Sequence, residues 1–147
     1  MKIAIGCDEA AYALKVAIMK HLDTKEDIEY KDFGAAEGEV ILYPDVAQKV
    51  AEAVARGEFD RGILVCGTGL GMCIVANKVP GIRCGLCADT YSAKMTREHN
   101  DANMLAMGAG IVGPNLALSI VETFLNTPFS GDEKHVRRIN KIEEEVK

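Results

Sequence analysis

Two short segments hold the residues of this chain that could do chemistry. The first is Cys66-Gly67-Thr68-Gly69-Leu70-Gly71, preceded by the apolar run Gly62-Ile63-Leu64-Val65. A buried strand, a glycine turn and a helix start in succession aim free backbone N–H groups at one point, which suits an anion. A thiol at the mouth of such a cradle is a candidate base or nucleophile, because converging donors stabilise a thiolate. The other reading of Cys66 is a small buried residue at a strand end. The Thr68 hydroxyl lies two residues on. The turn lacks a Gly-Lys-Ser/Thr ending, which excludes a Walker loop, and it lacks the full dinucleotide spacing. The second segment, Arg97-Glu98-His99-Asn100-Asp101-Ala102-Asn103, offers an imidazole among amides and carboxylates able to fix its tautomer. A helix cap or plain surface position is the alternative for His99.

Other candidates flank these two. Asp8 follows the first apolar run and reads as a helix N-cap, a carboxylate for ligand hydroxyls, or both. Glu9 adds a second negative charge, which opposes a phosphate placed there. Lys134-His135-Val136-Arg137-Arg138 is either a solvated helix start or an anion site in an otherwise acidic chain. His21 sits at a lysine-flanked helix end and reads as ordinary surface. Cys84 and Cys87 form a C-x-x-C pair, but a strand turns them to opposite faces, so neither a disulfide nor a shared zinc fits. Both, with Cys73, read as core thiols, and no metal site is expected.

The elements that must position these residues alternate between β-like runs and helical periodicity. Strands are predicted at 2–6, 28–33, 62–65, 82–87 and 104–107. Helices are predicted at 12–22, from Pro44 onward, and at 70–77, 90–98, 115–124 and 134–147. Val46, Ala47, Val50, Ala51 and Val54 form one buried face, and Leu116, Ile120, Val121 and Phe124 another. The stretches 35–40 and 128–132 read as loops. Such alternation argues for an α/β fold, an open parallel sheet with helices on both faces. With strand order 2-1-3-4-5, the ligand-binding crevice falls between strands one and three, beyond their carboxyl ends. Asp8 and Cys66 would meet there. No repeat or linker divides the chain, so residues 1–147 read as one domain. The charged last helix has little apolar surface and is a candidate for packing at a dimer interface.

Composition narrows the function classes. The net charge of −5 gives no general attraction to nucleic acid. No stretch nears the roughly 18 apolar residues of a membrane span. Met1–Gly6 is too short an apolar run for a signal peptide. An odd number of cysteines, 5, outside a small secreted framework points to reduced thiols and a cytoplasmic protein.

Taken together, Gly6-Cys7-Asp8, Tyr43-Pro44-Asp45, Cys66–Gly71, Ala76-Asn77-Lys78-Val79-Pro80-Gly81-Ile82-Arg83 and Arg97–Asn103 resemble the ribose-5-phosphate isomerase B family, which includes the galactose-6-phosphate isomerase subunits. The resemblance runs in order along nearly the whole chain. It implies a Rossmann-like three-layer sandwich, a homodimer or dimer of dimers with sites at the subunit interface, a small sugar phosphate as substrate, and no metal or coenzyme. It also implies aldose–ketose interconversion through a cis-enediolate, with ribose 5-phosphate and ribulose 5-phosphate as the default pair. By the same resemblance Cys66 is the base, and Thr68 helps polarise it. The amides from Gly67 through Gly69 and Leu70 to Gly71 hold the enediolate oxygen. His99 opens the furanose ring, and Asp8 and Asn100 grip sugar hydroxyls. Lys134, His135 and Arg138 fall where the family binds phosphate.

The departures concern that phosphate. Many members have histidine where Glu9 stands and arginine where Gly110 stands. Asp132-Glu133-Lys134-His135 replaces the usual Gly-Gly-Arg-His, while Arg138 keeps its place. Lysine holds phosphate without the bidentate fork of arginine. A hexose or tetrose phosphate, or an unphosphorylated aldose, is therefore a rival substrate. A non-catalytic sugar-binding module is a further rival.

Overall fold

The computed structural model describes residues 1–145. Its elements are β1 (Lys2–Cys7), a 3₁₀ turn (Glu9–Ala11), α1 (Tyr12–Leu22), β2 (Glu29–Asp32), α2 (Tyr43–Ala55), β3 (Arg61–Cys66), α3 (Leu70–Ala76), β4 (Cys84–Leu86), α4 (Thr90–Glu98), β5 (Met104–Gly108), α5 (Pro114–Asn126) and α6 (Glu133–Glu145). The chemistry of the helix starts is visible in the sequence. Proline opens α2 and α5, where its missing N–H costs nothing. Asp89 caps α4 by accepting from the Ser92 N–H at 2.7 Å. The helix expected at 134–147 starts one residue earlier, and its last two residues lie outside the described ones.

All strand pairs are parallel, and the order is β2-β1-β3-β5-β4. This corrects the expected 2-1-3-4-5: the last two strands exchange places. The residues give the reason. Every residue of β5 is buried, as a strand covered on both faces requires. The three residues of β4 include an exposed Leu86, which an edge tolerates. The exchange sets Gly108 beside Cys66 in the ladder.

Two apolar layers enclose the sheet. Ile3, Ile5, Ile63, Val65, Leu105 and Met107 pack toward α1, α4 and α5. Ala4, Leu64, Cys66, Met104 and Ala106 pack toward α2 and α3. This alternation is the period-two pleat, and it sends Cys84 and Cys87 to opposite layers as expected. Leu116 is exposed, contrary to its expected inward position; Ala117 takes that place on α5. No helix among the described residues is long and apolar enough to cross a membrane.

Candidate active site

The carboxyl ends of β1 and β3 carry the first group of candidate residues. Ladder pairing sets Cys7 beside Val65, and the Asp8 N–H donates to the Val65 carbonyl at 3.3 Å. Asp8 is thus anchored next to Cys66, as the crevice argument requires. After Cys66 the chain turns through Gly69, whose φ of +79° is the left-handed conformation glycine adopts without strain. That turn aims the Gly69 N–H at the Cys66 sulfur, 3.0 Å away. The Thr68 hydroxyl accepts from the Leu70 N–H at 3.3 Å. The end of β5 holds the turn from behind: the Ala109 and Gly110 N–H groups donate to the Cys66 and Gly67 carbonyls at 2.8 and 2.9 Å. The amides of the first turn of α3, Leu70 and Gly71 among them, have no intrahelical acceptor.

Asp8 is the most unusual group here. Its Oδ1 is buried without a hydrogen-bond partner, and it receives no side-chain cap bond at the 3₁₀ turn it precedes. Burial, and then the neighbouring Glu9 carboxylate, push its pKa above the usual aspartate value. Glu9 itself accepts from the Ile41 N–H at 3.4 Å. An oxygen left unpaired in this way suits a ligand hydroxyl.

The second group lies toward the opposite, amino ends of the strands. His99 is the C-cap of α4, which runs back to the amino end of β5. Its ring stacks on His135 with centroids 4.3 Å apart and planes within 9°. His135 is buried at the start of α6. Burial first, and then His99, lower its pKa below the ordinary histidine value. Two arginines fix the loop that carries His99 and Asn100. Arg83 donates to the Asn100 and Asp101 carbonyls, each at 2.9 Å, and pairs with Glu143 on α6. The buried Arg97 bonds Asp101 and the Ala102 carbonyl at 2.7 and 2.6 Å. Lys134, Arg137 and Arg138 line a groove of about 610 Å³ on α6.

Asp8, Glu9, Cys66, Thr68 and the glycine turn are therefore brought together, and so are His99, Asn100, Lys134, His135 and Arg138. The two groups are not brought to each other within one chain. The length of β5 alone, at about 3.3 Å per residue, keeps them on the order of 15 Å apart. Tyr43 was missed as a site residue. A Cβ on Gly71 would lie 2.6 Å from its ring, so Tyr43 roofs the start of α3, and the Tyr-Pro-Asp motif was its only signal. All five cysteines are free. Among the described residues no cluster of three or more His, Cys, Asp or Glu side chains is arranged to hold a metal ion.

Comparison with known proteins converges on one family. The sequence profile described as Ribose/Galactose Isomerase matches residues 3–142. Ribose-5-P isomerase B of Listeria innocua is 50% identical over 93% of this chain and 92% of its own. D-erythrulose-4-phosphate isomerase of Pectobacterium atrosepticum is 48% identical over 89% of this chain and 86% of its own. The solved structure of Clostridium thermocellum ribose-5-phosphate isomerase B superposes with a TM-score of 0.94 at 53% identity, covering 98% of this chain and 96% of that one.

Proposed function

The chain belongs to the ribose/galactose isomerase family and is an aldose–ketose isomerase of sugar phosphates, and on that premise we propose that it interconverts ribose 5-phosphate and ribulose 5-phosphate with Cys66 as base. The observation that carries this reading is the Gly69 N–H 3.0 Å from the Cys66 sulfur, beside the unpaired oxygen of Asp8. The Cys66 thiolate takes the proton from C2 of the open aldose. The electron pair moves toward the C1 carbonyl and forms a cis-enediolate. Return of the proton to C1, with the hydroxyl proton passing from the C2 oxygen to the C1 oxygen as C2 becomes the carbonyl, completes the ketose. Main-chain donors at the start of α3 stabilise the oxygen on which charge develops. Asp8 orients hydroxyls of the chain.

Ring opening and phosphate binding fall to the second group, supplied by a second copy of the chain. Each protomer offers Cys66 at the carboxyl ends of the strands and His99 near their amino ends, so a two-fold pairing joins them in two equivalent sites. Exposed apolar residues support such a pairing. Val40, Leu42, Leu70, Ile74 and Ile111 crowd the carboxyl edge around Cys66, and Val136 and Ile142 stand on α6. In the second copy His99 moves the proton to the ring oxygen, while Lys134, His135 and Arg138 hold the phosphate.

The same chemistry on another sugar, a tetrose or hexose phosphate or an unphosphorylated aldose, is the second reading. It is motivated by Glu9, by Gly110, which has no side chain to reach an anion, and by Lys134 in place of an arginine. Measuring kcat/KM over tetrose, pentose and hexose phosphates and free aldoses separates the two readings, and a tetrose phosphate preferred over ribose 5-phosphate overturns the first. Replacing Cys66 by Ala is expected to lower kcat by about 10²–10⁴-fold while leaving the circular dichroism spectrum unchanged. Full turnover in that variant would remove Cys66 from the base role. Solvent deuterium found at C1 of the product would support proton transfer over a hydride shift, which carries none.

A further inference from the structure

We propose that Cys73 and Cys84 form a reversible intrachain disulfide that ties α3 to the edge strand β4, a thiol-modification site separate from the Cys66 base. The Cys73 thiol donates to the Cys84 carbonyl at 3.5 Å, which sets its sulfur against the backbone of Cys84. Asn77 locks this arrangement. Its amide nitrogen reaches the Cys73 sulfur at 3.5 Å and the Cys84 carbonyl at 3.0 Å, while its amide oxygen accepts from the Cys84 N–H at 2.8 Å. With the Cys73 sulfur at the Cys84 backbone and Asn77 bonded to both segments, side-chain rotation is the movement that would bring the two sulfurs together. Both residues are half-buried, whereas Cys7 and Cys87 are buried.

The pair is chemically asymmetric. The neighbouring Cys84 thiol, opposed by burial and aided by Asn77, brings the Cys73 thiol down to about 7, and the same proximity pushes Cys84 well up. Cys73 is therefore the attacking thiol and Cys84 the resolving one. The Cys73 thiolate attacks one sulfur of a low-molecular-weight disulfide, forming a mixed disulfide and releasing one small thiolate. Cys84 loses its proton to solvent, and its sulfur attacks Cys73 and expels the second small thiolate. The two cysteine sulfurs are oxidised by two electrons together, and the small disulfide is reduced to two thiols. The bridge grips α3 one turn after Gly69, whose carbonyl accepts from the Cys73 N–H at 3.1 Å, and it leaves Cys66 a free thiol.

The test poises the full-length protein in glutathione buffers of rising disulfide fraction, alkylates it under denaturing conditions and reads it by mass spectrometry. The expected product has lost two hydrogens, retains no glutathione and carries alkyl groups on the other three of its five cysteines. Tryptic peptides 62–78 and 84–94 are linked, and fragmentation places the link at Cys73 and Cys84. Dithiothreitol reverses it. Cys84→Ser accumulates a stable glutathione adduct on Cys73, and Cys73→Ser forms no bridge. The proposal is overturned by a link through Cys66 or Cys87, by glutathione adducts that never resolve into a bridge, or by five free thiols in the most oxidising buffer.

Discussion

At Asp8 an unpaired buried oxygen costs stability, and the proposed reading gives that oxygen a sugar hydroxyl to hold. Its folded-state pKa is raised, first by burial and then by Glu9. The neutral acid therefore suits the fold better than the carboxylate. The sign follows from linkage: its contribution is fully present below the unfolded value of about 3.9 and is lost as pH rises through the folded value. Asp8→Asn is expected to raise Tm at pH 7, with the gain disappearing near pH 4. It should lower kcat/KM by about 10–100-fold, since a hydrogen bond to a charged group contributes about 1.5–3 kcal/mol. Melting curves against pH, with steady-state kinetics, check both halves. His135 runs the other way. Its pKa is depressed by burial, by the His99 ring, and by Lys134 and Arg138 nearby, with Asp132 opposing. Its contribution is present above about 6.5 and is lost as pH falls through the folded value. Tm is expected to drop between pH 7 and 5, and to drop less in His135→Gln.

At the scale of elements, the unit that matters is β3, its turn and α3. The turn works only if Gly69 keeps its left-handed conformation in a slot with no spare room. A Cβ there would lie 2.6 Å from a Leu86 methyl and 2.7 Å from the Met107 carbonyl carbon. Leu86 can rotate away, but the Met107 backbone belongs to a fully buried central strand. Gly69→Ala is expected to cost about 1–3 kcal/mol in denaturant titration. It should also depress kcat more than it alters KM, because the N–H aimed at Cys66 moves with the turn. A variant with wild-type kcat would show that this donor is dispensable. The counterpart at the amino end of β5 is the 99–103 loop. Arg83 and Arg97 hold it from two sides, so most of the Arg97–Asn103 motif is scaffolding for His99 and Asn100.

For the whole molecule, the decisive relation is between the two ends of the strands. On the proposed roles, a proton-transfer thiol at Cys66 and a ring-opening imidazole at His99, on the order of 15 Å apart, cannot serve one small sugar within a chain. Two inactive variants, Cys66→Ala and His99→Asn, are therefore expected to complement when mixed with subunit exchange. Random pairing makes half the dimers mixed, and each mixed dimer has one site free of both substitutions. Recovered activity should approach about one quarter of wild type. A mixture as inactive as its parents would show that the two residues act within one chain or not together.

The sequence by itself determined the α/β alternation, nearly all the element spans, the crevice between β1 and β3, and the candidate residues on each side. These follow from local causes: apolar period, proline and aspartate at helix starts, and glycine where the chain must turn left-handed. The family motifs were legible for the same reason, being short contiguous runs. Only the tertiary structure decided that β5 and not β4 adjoins β3, because strand neighbours are chosen by burial on both faces and not by chain order. It alone separated Cys66 from His99, since α4 must run antiparallel to the strands to return the chain to the start of β5. It alone stacked His135 on His99 and left one oxygen of Asp8 unpaired, because both depend on what distant segments bring to the same place.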